Sequence, residues 1–262
     1  MTNGGMDREL LFEVNGGIAR LTINRPSARN AFTIGMYEKL AHHCAAAGAD
    51  DSIRVLIVTG AGEKAFSAGT DIAHFRSFKT PEDALGYETF MERVLSALEG
   101  CRVPTIAAIA GACTGGGGAI AACCDVRIGT ADTKFGFPIA RTLGNCLSVR
   151  NLARLSALVG AQRVKEMIFT ARLIGAEEAL RIGLLSEVAK DRAELDARVE
   201  ALAQDIAALA PLTLRATKEG LRRLQSAEVP DSDLILMCYM SEDFHEGMSA
   251  FLEKRTPKWQ GR

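Results

Sequence analysis

The chain has 262 residues, a formal net charge of −1, and 48% apolar and 24% charged residues. This length suits one large domain with room for a small appendage. The near-neutral balance argues against nucleic acid or an anionic membrane surface as a partner, and no apolar run is long enough to span a bilayer.

The first ten residues, MTNGGMDREL, lack the basic and apolar regions of a signal peptide. The seven cysteines form no C-x-x-C pair and have no histidine cluster nearby. Neither a metal site nor a disulfide framework is therefore expected, and small buried thiols in a reducing cytoplasm are.

Taken in chain order, LLFEVNGGIARLTINRP (10–26) predicts a hairpin whose turn, Asn-Gly-Gly, supplies positive φ angles; Pro26 ends the second strand. Thr33 is the expected N-cap of a helix running to about Ala47, with Gly48 as its stop. SIRVLIVTG (52–60) reads as a buried strand, GEKAFSAGTDI (62–72) as a loop, and Pro81 to Gly100 as a helix with proline at its first position. VPTIAAIAG (103–111) is a strand, and CDVRIGTAD and TKFGF are short strands. Beyond Pro138 helical spacing dominates, at 147–158, 161–169, 176–182, 193–209, 211–225, 231–242 and 244–253, with one short strand near Leu184–Val188. The stretch from about Ile206 reads as a helical appendage.

Two glycine-rich loops stand out. VLIVT followed by GAGEKA matches a relaxed dinucleotide fingerprint at Gly60, Gly62 and Ala65. That fingerprint requires a helix to start within it, and FSAGTD breaks one. A tight turn with closely approaching backbones accounts for Gly60 and Gly62 more simply. The run Gly115–Gly118 in ACTGGGGAIAACCD lacks the Lys-Ser or Lys-Thr of a phosphate loop, yet holds more glycine than a turn needs. It opens a helix, whose N-terminus carries unpaired N–H groups and partial positive charge. Two bare N–H groups converging from the two loops are what a developing oxyanion requires.

At these residues the sequence resembles the crotonase superfamily, the enoyl-CoA hydratase/isomerase family. The matching segments are INRPSARNAF (23–32), VLIVTGAGEKAFSAGTDI (55–72), VPTIAAIAGACTGGGGAIAACCDVRIGTADTKFGFP (103–138), FTARLIGAEEALRIGLLSEV (169–188) and SEDFHEGMSAFLEKRTPKW (241–259). The resemblance implies an α/β fold, a spiral of β-β-α turns (1–205) with a C-terminal α-helical trimerisation region (206–262). It implies a homotrimer or dimer of trimers, and an acyl-CoA thioester as substrate, with no cofactor beyond the CoA of that substrate. By the same resemblance the N–H groups of Thr70 and Gly116 form the oxyanion hole. CoA and substrate contacts fall on Ser27, Ala28, Arg29, Ala31, Ala68, Asp71 and Ile72, and on Phe251 and Lys254, which match positions that reach a neighbouring subunit's CoA.

The sequence departs from the family where chemistry is decided. Hydratases of the family use two glutamates, and the corresponding positions here are Ala119 and Ile139. Neither can orient water or move a proton. The following loop offers Arg141, Thr142, Asn145, Cys146 and Ser148 instead. Arg141 is a candidate partner for a substrate carboxylate, and His74 a candidate acid or base. Cys146 is expected as an inert thiol and Asp71 as a cap for the next helix; Glu82, Asp83 and Glu88 lie on helix 81–100, which by the resemblance often walls the acyl pocket, and a solvated face is expected for them although one could swing in. Three readings follow: an enolate-forming acyl-CoA enzyme, a decarboxylase of a malonyl-type CoA, and a non-catalytic acyl-CoA-binding relic.

Overall fold

The computed structural model describes residues 8–225, 237, 241–253 and 255–262. Strands β1 (Leu10–Asn15) and β2 (Ile18–Ile23) form the expected antiparallel hairpin. Its two-residue turn is Gly16 and Gly17, at φ +56° and +81°, the backbone that matches the twist of the flanking strands. In α1 (Ile34–Ala49) the Thr33 hydroxyl accepts from the Met36 amide. The helix runs through Gly48, the expected stop, and ends only at Asp50. Glycine lowers helix propensity by about 1 kcal/mol, and the tertiary packing of α1 outweighs that cost.

From there the chain repeats one unit: a buried strand, a short strand, a helix. Strands β3 (Val55–Gly60) and β4 (Ala65–Ser67) precede α2 (Pro81–Glu99). Strands β5 (Thr105–Ile109) and β6 (Ala112–Thr114) precede α3 (Gly116–Cys123), and β7 (Val126–Thr130) and β8 (Lys134–Gly136) precede α4 (Val149–Val159). The remaining elements are α5 (Ala161–Thr170), β9 (Ile174–Gly175), α6 (Ala176–Arg181), β10 (Glu187–Ala189), α7 (Arg192–Ala207), α8 (Pro211–Gln225) and α9 (Glu242–Glu253).

The first strand of each unit enters a six-stranded sheet, β1-β2-β3-β5-β7-β10, parallel except for the hairpin. The second enters a four-stranded sheet, β4-β6-β8-β9. Three such turns in succession make the spiral of β-β-α units that the sequence implies.

Both faces of the large sheet are covered, as parallel strands require. Alternate residues of β3 and β5 divide accordingly. Leu56, Val58, Ala107 and Ile109 face the main core with α1 and α2. Val55, Ile57, Ile106 and Ala108 pack against Leu195, Val199 and Ala203 of α7.

Three strands escape the sequence reading. β4, β6 and β9 are two or three residues long, too short to display alternation. The segment 62–72 is thus not loop throughout: it contains β4 and leads into a 3-10 helix, Ile72–Ser77. The strand expected near Leu184–Val188 lies at Glu187–Ala189. The helix expected at 231–242 lies outside the described residues, apart from residue 237 and its last two residues.

Helix α2 is fastened to α4 by charge. The Arg154 side chain, 5% exposed, donates to Glu92 at 2.7 Å and to Glu99 at 2.9 Å. It also reaches the Ser96 hydroxyl and Asn151 Oδ1. Burial works against ionisation of Glu92. Hydrogen bonds from Arg154 and Ser96, with the charges of Arg154 and Arg150, outweigh it and hold the Glu92 carboxyl below the usual range.

Removing the guanidinium strands two carboxylates. Both keep some exposure, 24% and 22% for their side chains, so Arg154→Met is expected to cost about 3 kcal/mol, the low end for a broken buried pair. Urea denaturation at fixed protein concentration measures it. Because the folded-state pKa of Glu92 is lowered, its contribution is complete above the ordinary glutamate value of about 4.3 and is lost as pH falls through the depressed one. That acid limb shrinks in the variant.

Candidate active site

The two glycine loops meet because β4 and β6 are parallel neighbours, with Ser67 opposite Cys113. Chains leaving the same ends of adjacent parallel strands emerge side by side. After β4, Thr70 forms an isolated parallel bridge with Phe32. The bonds of that bridge run from Phe32 N to Gly69 O and from Asp71 N to Phe32 O, each 2.8 Å. They use the peptide groups on either side of Thr70, so the N–H of Thr70 itself faces away from Phe32. After β6, Gly116 is the first residue of α3, and an amide there has no intrahelical acceptor.

The two amides are close neighbours. A Cβ on Gly69 would lie 3.0 Å from Gly116 N, and a Cβ on Gly116 would lie 3.4 Å from Thr70 N. The glycine run has physical causes. A Cβ on Gly116 would stand 2.2 Å from the Tyr37 hydroxyl, and one on Gly117 would stand 2.4 Å from Ser67 O. Any side chain at Gly117 would push α3 off β4 and part the two loops. Gly60 is likewise a close approach, its absent Cβ 2.4 Å from Phe66 O.

Beneath the amides runs a chain of three hydroxyls. Tyr37 Oη and Thr70 Oγ1 are 2.9 Å apart, and Thr70 Oγ1 and Tyr87 Oη 2.8 Å apart. Burial pushes both phenols above the ordinary tyrosine value. Both therefore remain protonated and able to donate. This chain fixes the Thr70 side chain from α1 on one side and α2 on the other.

The loops open into a cavity of about 220 Å³. One wall is α2, with Tyr87, Glu88, Met91 and Leu95; the facing wall holds Ile139, Leu143 and Cys146; the floor holds Ala119. Ala119 and Ile139 are 6% and 8% exposed and put methyl groups where the resemblance places glutamates.

Residues 27–31 lie beside this cavity. Ala68 N donates to Arg29 O at 2.9 Å, and the Ser67 hydroxyl donates to Asn30 O at 2.8 Å. Buried Asn30 in turn ties the segment to Ala61 O and Ala65 O. Ser27, Ala28, Arg29 and Ala31 are thus gathered next to Ala68, with Ser27 and Arg29 exposed. Asp71 caps the 3-10 helix through Ala73 N and faces Arg25 at 3.3 Å. Ile72, 59% exposed, stands at the cavity mouth.

Other candidates fall elsewhere. Arg141 is exposed and does not line the cavity. His74 sits among the rings of Phe75, Phe78 and Tyr87, behind the wall rather than on it. Phe251 belongs to α9, but its side chain, like all of Lys254, lies outside the described residues.

The residue that the sequence reading put on a solvated face is Glu88. Asp83 does serve α2 as the partner of a capping box with Thr80, and Glu82 is exposed. Glu88 instead is half-buried on the cavity wall. The signal was its spacing: 88, 91 and 95 share one helical stripe.

A pair of neighbouring backbone amides thus stands at the head of α3, beside a largely apolar cavity. The model of the enoyl-CoA hydratase/isomerase family matches residues 13–262. The chain is 35% identical over 251 residues to a short-chain-enoyl-CoA hydratase of Clostridium acetobutylicum, covering 94% of this chain and 95% of the relative. It is 32% identical over 259 residues to a 2,3-dehydroadipyl-CoA hydratase of Escherichia coli, covering 97% and 99%. The structure of an enoyl-CoA hydratase/carnithine racemase from Magnetospirillum magneticum superposes with a TM-score of 0.90 at 35% identity, covering 97% of this chain and 96% of the other. The chain belongs to the enoyl-CoA hydratase/isomerase family.

The packing around Gly116 makes a sharp prediction. Gly116→Ala drives a methyl into the Tyr37 hydroxyl, an overpacking expected to cost about 1–3 kcal/mol. Tyr37→Phe, added to it, returns about 1 kcal/mol of that loss as a coupling energy. A double-mutant cycle by thermal denaturation reads both.

Proposed function

We propose that this acyl-CoA enzyme stabilises a thioester enolate on the paired amides of Thr70 and Gly116, and that it does not carry out the family's two-glutamate hydration. The observation that carries the reading is the adjacency of those two amides at the rim of a cavity whose glutamate positions are Ala119 and Ile139. A thioester α-proton is acidified because the enolate puts charge on the carbonyl oxygen. Two fixed donors in a water-poor cavity stabilise that charge without reorganising, and each is worth about 3–4 kcal/mol of barrier in comparable sites.

Hydration needs a group to activate water and a group to protonate the α-carbon. Alanine and isoleucine supply neither. A malonyl-type substrate is disfavoured as well, because no cation is found among the described residues lining the cavity, and its carboxylate would meet Glu88. We assign CoA contact to Ser27, Ala28, Arg29, Ala31 and Ala68, which border the cavity on the side of the exposed 3-10 turn at Pro26–Ala28.

The decisive assay is crotonyl-CoA hydration, run beside a family hydratase that carries both glutamates. The expected rate is at least about 10²-fold lower for this protein, the usual worth of acid–base groups. Equal rates overturn the reading, and tight binding of butyryl-CoA with no reaction across a thioester panel favours the relic.

We further propose that residues 206–262 build a homotrimer, or a dimer of trimers. Leu221 and Leu224 of α8 support this, since they stand 58% and 65% exposed on a helix that has only part of its surface covered. Light scattering is expected to give a trimer or hexamer mass, and Leu221→Asp with Leu224→Asp to reduce it. A cytoplasmic location is proposed on the free thiols of Cys44, Cys101, Cys113, Cys123, Cys124 and Cys146.

A further inference from the structure

With the hydratase positions apolar, the enolate reading lacks a group to move the proton. Among the described residues lining the cavity, one side chain carries charge: Glu88. It continues the stripe of Met91 and Leu95, which are 5% and 0% exposed, at spacings of three and seven residues. A carboxylate on the apolar stripe of a helix costs desolvation, and a structural one is normally paired. Glu92, one turn on, is paired with Arg154 and Arg150. No hydrogen bond or ion pair engages Glu88 among the described residues.

The other polar groups of the cavity are poorer candidates. The Tyr87 hydroxyl is held by Thr70. Thr114, Thr142, Asn145 and Asn151 have no acid–base chemistry near neutrality, and the Cys146 thiol is exposed on the loop opposite.

We infer that Glu88 is the catalytic acid–base residue of this site, the carboxylate that takes the α-proton of the bound thioester and returns it. The inference rests on the enolate reading above. The step balances without a co-reactant. A Glu88 oxygen accepts the α-hydrogen as a proton, and the C–H electron pair moves into the bond between the α-carbon and the thioester carbon. The negative charge passes to the thioester oxygen, under the amides of Thr70 and Gly116. The neutral carboxyl then returns its proton to the α-carbon. In a β,γ-unsaturated ester it returns the proton to the γ-carbon instead, which moves the double bond into conjugation. One carboxyl suffices for such a proton shift, whereas hydration requires two groups. The substrate class is thus an acyl-CoA with an acidic α-hydrogen, β,γ-unsaturated ones included.

Burial, and then the negative charge of Glu92, raise the Glu88 carboxyl above the ordinary glutamate range, toward the working pH of a general base. The groups that bear on it are Glu92 on its own helix, with Arg150 and Arg154 behind that residue, the Tyr87 phenol, and the Cys146 thiol from the loop across the cavity.

The test uses the full-length protein and two probes. Butyryl-CoA in D₂O reports α-proton exchange by NMR, and 3-butenoyl-CoA reports the double-bond shift. Calorimetry with butyryl-CoA reports binding, and circular dichroism reports folding. Glu88→Gln is expected to bind butyryl-CoA within about twofold of wild type and to lose at least about 100-fold in exchange. Glu88→Asp is expected to keep part of the activity. The wild-type rate is expected to rise with pH through a carboxyl titration above the ordinary value of about 4.3, and that limb is expected to vanish in Glu88→Gln. Exchange at the wild-type rate in Glu88→Gln would overturn the assignment and leave the enolate reading intact. A wild type that binds butyryl-CoA but exchanges no proton overturns the assignment too, and failure to bind any acyl-CoA overturns both.

Discussion

The parallel pairing of β4 with β6 is the constraint on which the site depends. Two three-residue strands contribute little stability by themselves, yet their pairing makes two loops leave the sheet at the same edge. The bridge between Phe32 and Thr70 then turns one amide toward the cavity, and the start of α3 supplies the other. The absence of side chains at Gly116 and Gly117 lets α3 close on β4. The placement of the two main-chain amides is thereby tied to the topology of the spiral rather than to particular side chains. The walls can then differ from those of relatives while the amide pair persists.

Helix α2 shows how one element divides structural from chemical work. Its outer turns are anchored by Arg154, which holds Glu92 and Glu99 against α4. Its inner face presents Tyr87, Glu88, Met91 and Leu95 to the cavity. Two glutamates four residues apart consequently sit in opposed environments. Paired Glu92 is driven toward the anion, and unpaired Glu88 toward the neutral acid. Carboxyls pushed apart in this way by their surroundings mark where proton transfer is provided for.

Much of the fold was legible in the sequence, because long periodic segments announce themselves. The Asn-Gly-Gly hairpin, the buried run of β3, the Thr33 cap and the described helices after Pro138 follow from local chemistry. The strands β4, β6 and β9 did not, because they are defined by their partners rather than by any pattern of their own. The end of α1 was misplaced because Gly48, a poor helix former, is carried by tertiary packing. For the site, the glycine run signalled an exposed backbone, and the resemblance set Ala119 and Ile139 against the glutamates of family hydratases. Glu88 was hidden in plain view: its neighbours Glu82 and Asp83 are surface residues, and only the stripe through Met91 and Leu95 distinguishes it. Arg141, the lone charge of its loop, and His74, the histidine nearest the expected cleft, drew attention, and neither lines the cavity.

The hydroxyl chain Tyr37–Thr70–Tyr87 carries a final consequence. Each link can be donated from either end, so the three hydrogens admit two opposite orders, pointing toward α1 or toward α2. Reversing them moves no heavy atom. The hydroxyls beside the amides therefore form a small dipole that can reverse in response to charge gathering near it.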